Sequence, residues 1–253
     1  MEPLVKTQIH GPSATVTLNR PQKRNALSRE LLAGLHQAFD DLHRERAVRG
    51  VILTGAGAAF CAGMDLGEML ATTEQDNPQA QWHADSLLYY ELIEKMLRFP
   101  KPLVAAVNGP AVAGGAGLVM ACDLVVAVES AAFGFPEPRR GIVAGMVAPL
   151  LAFRIGGARA ALLLLTARVI EAQQAQHFGL YQEIVPDAVI WARSNELVGE
   201  MAASAPEALQ MTKRLLNETV GEQLLSQLAA GAAMSAASRT TEAAAEGLAA
   251  FKE

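Results

Sequence analysis

Apolar and polar positions follow two different periods in the first part of the chain. Between residues 14 and 18, Val16 and Leu18 alternate with threonines, and this period of two predicts a β-strand. After Ser28, apolar side chains recur with a helical period up to about His43. The pattern predicts an amphipathic helix with Ser28 as its N-cap, because a serine side chain can accept a hydrogen bond from a free N–H group of the first turn.

The middle of the chain repeats a unit of buried strand, glycine-rich turn and helix. Uninterrupted apolar runs predict strands over 50–54, 103–107, 124–128 and 132–135. Helices are predicted over 79–98 and 113–122, and the polar segment 72–78 is predicted to be a mobile surface loop. Strands that alternate with helices in this way predict an α/β fold with parallel strands.

The last quarter of the chain has almost no β pattern. It is rich in alanine, and helices are predicted to start at Pro206 and to cover 220–238 and 242–251. We therefore expect two parts. Residues 1–190 form the α/β core, and residues 191–253 form a helical region that packs against the core or against another subunit.

Composition narrows the class of protein. The 253 residues are 51% hydrophobic and 19% charged, which suits a packed globular protein. A net charge of −5 argues against a nucleic-acid-binding protein, which would carry a basic face. No signal peptide and no membrane-spanning stretch is predicted. Cys61 and Cys122 form neither a disulfide framework nor a metal-ligand spacing, so we expect a cytoplasmic protein without a metal site.

Two glycine-rich turns carry the first candidate chemistry. Each of them, 61–65 and 114–117, follows a predicted buried strand and precedes a helix. The first N–H groups of a helix lack partners within it and point outward with the positive end of the helix dipole. Two such turns facing one pocket could hold a developing oxyanion. The alternative is that these glycines only permit tight turns and close packing.

A single carboxylate is the second candidate. Glu137 directly follows the apolar segment 133–136, where partial burial would raise its pKa and suit it to move protons near neutral pH. The alternative is an exposed loop glutamate, with Arg139 and Arg140 as ion-pair partners or surface groups. His83, Tyr89 and Tyr90 lie on the predicted helix 79–98 and could line a pocket, although most such residues are ordinary residues of a helix face.

Taken in order, the motifs resemble those of the crotonase superfamily, the enoyl-CoA hydratase/isomerase family, from about residue 4 to the end. The matching segments are 17–21 (TLNRP), 25–27 (NAL), 60–66 (FCAGMDL), 101–109 (KPLVAAVNG), 114–115 (GG), 122–123 (CD), 133–134 (FG) and 136–137 (PE). The resemblance implies a crotonase-like spiral of ββα units with a C-terminal helical region used in forming a homotrimer or a dimer of trimers. It also implies an acyl-CoA thioester as substrate, with coenzyme A entering as part of that substrate and no separate cofactor.

The resemblance also assigns site residues. The backbone N–H groups of Met64 and Gly114 would be the oxyanion donors, and Glu137 would be the proton carrier. The residues that it places against coenzyme A are Lys23, Arg24, Ala62, Asp65, Leu66 and Phe251, the last of them against a neighbouring subunit's coenzyme A.

One departure from the family pattern bears on the reaction. The hydratases of the family use two glutamates, and the position of the first falls at Gly117, which has no side chain. A dehalogenase is disfavoured because the position of its aspartate nucleophile falls at Gly145. A single glutamate suits a proton shift between two carbons, which resembles the Δ3,Δ2-enoyl-CoA isomerases.

Three hypotheses stay open. The first is an isomerase or an atypical hydratase with Glu137 as its proton carrier, and a second carboxylate in the site, for example Glu68, Asp85 or Glu94, would favour hydration. The second is another crotonase reaction, such as thioester hydrolysis or decarboxylation. The third is an acyl-CoA-binding protein without catalytic activity.

Overall fold

Strands, helices and short turns alternate through most of the chain. The computed structural model describes residues 2–219 and 223–250. The strands are β1 (Val5–His10), β2 (Ser13–Leu18), β3 (Gly50–Gly55), β4 (Leu103–Val107), β5 (Ala111–Val112), β6 (Leu124–Val128), β7 (Phe133–Gly134), β8 (Val169–Ile170) and β9 (Glu183–Val185). The helices are α1 (Arg29–Arg44), α2 (Leu66–Thr72), α3 (Pro78–Arg98), α4 (Gly114–Ala121), α5 (Ala148–Ile155), α6 (Gly157–Leu165), α7 (Ala172–His177), α8 (Ile190–Ala202), α9 (Pro206–Arg214), α10 (Leu224–Ser238) and α11 (Glu242–Ala249).

The larger sheet has the strand order β1-β2-β3-β4-β6-β9. Only the first pair, β1 with β2, is antiparallel, and the following pairs are parallel. The central strand β4 is buried along its whole length, as expected for a parallel strand that is covered on both faces. The α/β fold with parallel strands that was predicted from the apolar runs is therefore confirmed.

The smaller sheet, in the order β5-β7-β8, brings two distant segments together. Its first two strands are parallel, with Ala111 opposite Phe133 and Val112 opposite Gly134. The chain leaves β5 into the glycine-rich start of α4, and it leaves β7 into a short 3-10 helix that begins at Glu137. Because parallel strands end at the same edge, Gly114 and Glu137 emerge side by side.

The last helices pack on the chain's own core. Helix α10 lies against α3 and α5, and α11 lies against α2 and the 3-10 helix Glu137–Arg140. Met69 from α2, Ile142, Ala244 and Leu248 form a small separate apolar cluster there. The C-terminal helices were expected to pack against the core or against another subunit. The structure shows the packing against the core, and oligomerisation through these helices stays a prediction.

Several predicted elements need correction. The surface loop predicted over 72–78 is shorter by one residue at each end, since Thr72 ends α2 as a fully buried residue and Pro78 begins α3, and residues 73–77 are exposed. Strand β1, whose outer residues are exposed, and helices α5 to α7 were not predicted. Helix α10 begins at Leu224, and the predicted start at 220 lies outside the described residues, as does Phe251.

Within residues 2–219 and 223–250, we find no helix that is both long enough and apolar enough to cross a membrane.

Candidate active site

One cavity of about 590 Å³ collects the predicted site residues. Every predicted site residue within the described part of the chain lines it, namely Lys23, Arg24, Ala62, Met64, Asp65, Leu66, Gly114 and Glu137. Lys23 and Arg24 are exposed at one side of this cavity. The fold therefore brings together residues that are more than a hundred positions apart in sequence.

Two polar side chains from the segment between β2 and α1, Arg20 and Asn25, hold the first glycine-rich turn, 61–65. The buried Asn25 donates from its amide to the carbonyl oxygens of Ala59 (2.8 Å) and Phe60 (3.2 Å). Arg20 forms an ion pair with Asp65, whose carboxylate also caps α2 by accepting from the N–H of Gly67 (2.8 Å). These contacts fix the turn on which Met64 lies.

The second turn, at the start of α4, packs directly on the first. Ala113, just before the helix, has φ 53° and ψ −127°, a conformation that costs a residue with a side chain of the order of 1–3 kcal/mol. A Cβ atom added at Gly63 would lie 2.7 Å from Ala113 Cβ and 3.2 Å from Gly114 N. Glycine at 63 thus lets the two turns approach closely.

The main-chain N–H groups of Met64 and Gly114 both lie at this junction. Neither group donates any hydrogen bond found among the described residues, although the neighbouring N–H of Asp65 bonds to Leu27 O (3.1 Å). Gly114 is also the first residue of α4, where N–H groups have no partner within the helix. Both residues line the cavity, and within the described residues neither N–H group has an acceptor.

Glu137 lines the cavity and is half-buried, so it is not an exposed loop residue. Its Oε2 atom is buried and has no hydrogen-bond partner in the described part of the chain. Burial raises the pKa of Glu137 to about 7, although its own backbone N–H and the positive charge of Arg140 oppose the rise. A carboxyl group with this pKa can both take up and release a proton near neutral pH.

Close backbone packing holds the turn that carries Glu137. A Cβ atom added at Gly247 of α11 would lie 2.7 Å from Arg140 Cα. The N–H of Ile142 donates to Glu137 O (3.2 Å), which closes the turn. Arg139 is exposed, whereas Arg140 lines the cavity.

The space beside Gly117 is already filled. A Cβ atom added there would overlap the Tyr89 hydroxyl oxygen and would lie 2.7 Å from Val147 Cγ1. Tyr89 is fully buried, and its hydroxyl donates to Gly114 O (2.6 Å). Burial, followed by the nearby Cys61 and Glu137, raises the pKa of Tyr89 well above its ordinary value, so the hydroxyl keeps its proton.

Comparison with known proteins identifies the family. The family model described as enoyl-CoA hydratase/isomerase matches residues 9–253. The chain is 43% identical over 243 residues to a putative enoyl-CoA hydratase of Thermus thermophilus, covering 96% of this chain and 95% of that protein. The chain belongs to the enoyl-CoA hydratase/isomerase family. It is therefore an enzyme of the crotonase superfamily that acts on acyl-CoA.

Solved structures of the family agree with the fold. An enoyl-CoA hydratase/isomerase from Xanthobacter autotrophicus Py2 has a TM-score of 0.91 at 27% identity, with 98% of this chain and 93% of that chain covered. A monofunctional enoyl-CoA isomerase from M. smegmatis has a TM-score of 0.73 at 30% identity, with 87% and 95% covered. Both likenesses extend over most of each chain, so the crotonase fold predicted from the motifs is confirmed.

The candidates for a second acid lie elsewhere. Glu68 accepts from the N–H of Arg29 (3.0 Å), Asp85 accepts from the Arg29 side chain (2.6 and 2.8 Å), and Glu94 pairs with Arg98 (3.2 Å). None of these carboxylates lines the cavity that the described residues form. His83 is exposed and does not line it either.

Asp65 is the other carboxylate of the cavity wall, and it is engaged. Burial alone would raise its pKa, but the hydrogen bonds from Arg20 and from the N–H of Glu68 outweigh that effect and lower it. A carboxylate bound in this way is a poor proton acceptor. Asp65 therefore shapes the family's first glycine-rich turn, and Glu137 is the carboxyl group suited to move a proton.

Gly145, the position that matches the dehalogenase nucleophile, is closed by main chain. A Cβ atom added there would overlap the carbonyl oxygen of Gly231 in α10, and one added at Gly231 would overlap the carbonyl oxygen of Gly145. The two segments touch backbone to backbone. This contact leaves no room for an aspartate at residue 145.

Sequence reasoning missed the far wall of the cavity. Ser235 and Arg239 come from α10 and its C-cap, and both are buried there. The alanine-rich pattern of this region carried no signal of a site, because only the packing of α10 against α3 directs these side chains to the cavity.

Proposed function

We propose that the protein is an enoyl-CoA isomerase that moves a carbon–carbon double bond along the acyl chain, with Glu137 as its one proton carrier. The observation that carries this proposal is the contact between Tyr89 and Gly117. By the resemblance, the hydratases of the family have one of their two glutamates at the position of residue 117. Here the buried, protonated phenol of Tyr89 fills the space that this side chain would need.

The reaction begins at the thioester. The carbonyl oxygen of a β,γ-unsaturated acyl-CoA accepts hydrogen bonds from the N–H groups of Met64 and Gly114. The Glu137 carboxylate then takes a proton from the α carbon, and the electron pair of the broken C–H bond moves toward the carbonyl oxygen. The resulting dienolate is stabilised by the two donors, each of which is worth roughly 3 kcal/mol in sites of this kind.

The second step returns the proton. The electrons flow back from the enolate oxygen, the α,β double bond forms, and the γ carbon takes the proton from the carboxylic acid of Glu137. Nothing is gained or lost overall, so one group that both accepts and donates is sufficient. A pKa of about 7 for Glu137 suits both roles near neutral pH.

Binding of the coenzyme falls to the exposed side of the cavity. Lys23 and Arg24 supply positive charge for its phosphates, and residues 62–66 line its path to the oxyanion donors. Coenzyme A arrives as part of the substrate, and the proposed reaction consumes no other cofactor. Assembly into a homotrimer or a dimer of trimers belongs to the same proposal.

The test compares Glu137→Gln with the unchanged enzyme on a β,γ-unsaturated acyl-CoA, by following formation of the conjugated α,β-enoyl thioester. We expect a loss of roughly 10²- to 10⁴-fold in kcat, with binding of a saturated acyl-CoA retained. The exposed Glu129→Gln is the matched control and should keep full activity. Full activity of the Glu137→Gln variant would refute the proposal.

Atypical hydration is the second candidate, favoured by the relative from Thermus thermophilus that is named a putative enoyl-CoA hydratase. The same preparations should be given an α,β-unsaturated acyl-CoA, and the products should be separated by mass. Addition of water at a rate above that of double-bond migration would replace isomerisation as the main activity. Migration without a hydrated product would support the isomerase.

A further inference from the structure

The positively charged side chains of the cavity wall differ in how far they are exposed. Lys23 and Arg24 are exposed, as expected for contacts with phosphates in solvent. Arg239 also lines the cavity, yet only 3% of it is exposed, and Ser235 beside it in α10 is exposed by only 2%. A guanidinium group is therefore buried in the cavity wall, and its contact with Trp82 places it beside α3.

The contacts of Arg239 within the described residues do not balance its charge. Its Nη1 atom donates one long hydrogen bond to Trp82 O (3.4 Å), and its buried Nε atom has no partner. None of the ion pairs found in the part of the chain that the structure describes includes Arg239. Buried arginines are ordinarily paired with a carboxylate.

The carboxylate that acts on Arg239 is hydrogen-bonded to another arginine. Asp85 acts on Arg239 through space, but its two oxygens accept from Nε (2.6 Å) and Nη2 (2.8 Å) of Arg29. Gln81 also donates to this carboxylate (2.8 Å). Asp85 is thus hydrogen-bonded to Arg29, and Glu68 also acts on Arg29 through space. Arg239 has no carboxylate within hydrogen-bond distance among the described residues.

Burial lowers the pKa of Arg239 to about 10, so the side chain stays charged at neutral pH. A buried charge without a partner is costly, and a bound anion would recover that cost. Arg is also the side chain best suited to grip a carboxylate, because its planar fork matches the two carboxylate oxygens. The same cavity is also lined by the apolar Met69, Met146 and Val147.

We infer that Arg239 recognises a carboxylate at the far end of the acyl group, so that the preferred substrates are ω-carboxylated acyl-CoA thioesters. The inference rests on the proposed acyl-CoA site, with coenzyme A at the Lys23 and Arg24 end of the cavity. The acyl chain runs past the oxyanion donors and Glu137 along the apolar wall. Its terminal carboxylate then meets the buried guanidinium.

The test measures dissociation constants of saturated thioesters, for which no chemistry is needed. Adipoyl-CoA, hexanoyl-CoA and ω-hydroxyhexanoyl-CoA have acyl chains of the same length, and glutaryl- and pimeloyl-CoA vary that length. A charge-assisted hydrogen bond predicts that the best dicarboxylic thioester binds roughly 10- to 100-fold more tightly than its monocarboxylic counterpart. In Arg239→Met the ratio of the two dissociation constants should fall to about one.

Two further variants keep the outcome decisive. Arg239→Lys retains the charge without the planar fork and should keep only part of the ratio, which provides a reading if Arg239→Met fails to fold. Lys23→Met should weaken all the thioesters alike and leave the ratio unchanged, because Lys23 lines the cavity and is assigned by the proposed function to the phosphates of coenzyme A.

Other results would overturn the inference. They are an unmodified protein that does not discriminate between the thioesters, equal weakening of all of them by Arg239→Met, and binding of the ω-hydroxy thioester as tight as that of the dicarboxylic one. If no acyl-CoA binds at all, the proposed function fails together with this inference. If hexanoyl-CoA binds as well as adipoyl-CoA, only the inference fails.

Discussion

Gly117 and Gly145 stand at the two positions where the crotonase resemblance leads us to expect an acid, and this protein closes them by different means. At Gly117 the obstacle is a side chain, the hydroxyl end of Tyr89. At Gly145 the obstacle is main chain, the carbonyl of Gly231 in α10. A side chain can be exchanged by one substitution, whereas a main-chain contact moves only if the helix moves. The contrast teaches that the missing hydratase acid is a reversible feature and that the closed dehalogenase position is part of the fold.

The largest effect is expected at Gly145. Gly145→Asp must displace α10, since the added Cβ atom would overlap the Gly231 carbonyl oxygen. We expect a loss of roughly 4 kcal/mol or more in the free energy of unfolding, or no folded protein. Urea unfolding followed by circular dichroism measures this. Gly199→Ala in α8, where an added Cβ meets nothing within 4 Å, is the control and should be neutral or stabilising.

At Gly117 we expect a smaller and correctable loss. Gly117→Ala should cost roughly 2–3 kcal/mol, because its Cβ overlaps the Tyr89 hydroxyl oxygen inside the core. Adding Tyr89→Phe removes that oxygen, so the double variant should be more stable than the sum of the two single losses predicts. A double-mutant cycle from denaturant unfolding gives the coupling. Strict additivity would mean that Tyr89 does not close this position.

The pH dependence of activity tests whether Glu137 acts alone. Because residues 117 and 145 carry no acid, kcat/KM should depend on Glu137 alone. It should rise about tenfold per pH unit below the pKa of Glu137, which is about 7, and level off above it. The rise follows from the need for an ionised carboxylate in the first step. A bell-shaped profile between pH 5 and 9, measured with a β,γ-unsaturated acyl-CoA, would indicate a second titrating group and would break the comparison.

The free energy of unfolding should also depend on the ionisation of Glu137, and it should fall over the pH range in which activity rises. Burial raises the pKa of Glu137 from 4.5 in the unfolded chain to about 7 in the folded protein. The folded state therefore holds a proton more tightly, and the stability that this contributes is present below pH 4.5 and is lost as the pH rises through about 7. In Glu137→Gln that loss should be absent when melting temperatures are compared across this range.

The smallest effect belongs to Tyr89→Phe on its own. The substitution removes the hydrogen bond to Gly114 O (2.6 Å) and leaves that buried carbonyl with one partner fewer. We expect a loss of about 1 kcal/mol in stability and a several-fold fall in kcat, because Gly114 supplies one of the proposed oxyanion donors. A change in KM alone, with kcat unaltered, would argue that Tyr89 does not position this donor.

Much of the fold could be predicted because its central strands are continuous apolar runs. Strand β4 was predicted with its observed bounds, and α1 was predicted with its N-cap, since Ser28 accepts from the N–H of Leu31 (3.2 Å). Strand β1 has only two apolar positions, Val5 and Ile9, and four of its six residues are exposed, so its short pattern gave a weak signal. Helices α5 to α7 are short, and their apolar residues gave no clear helical face in the sequence.

Some features of the candidate site could likewise be predicted from the sequence, and others could not. Main-chain donors could be predicted, because glycine-rich turns at helix starts depend on local sequence, and so could the burial that sets the pKa of Glu137. The contact of Tyr89 with Gly117 could not, since it depends on how α3 crosses α4. The approach of Arg239 to the cavity depends likewise on the packing of α10 against α3.

That packing has a consequence for the order in which the protein matures. Ser235 and Arg239 belong to one of the last segments of the described chain to be synthesised, so the cavity gains its final wall only after the sheet and the oxyanion turns have emerged from the ribosome. A nascent chain that stops before α10 has an open, unfinished site. A bound substrate that touches Ser235 or Arg239 would favour the docked helix by mass action.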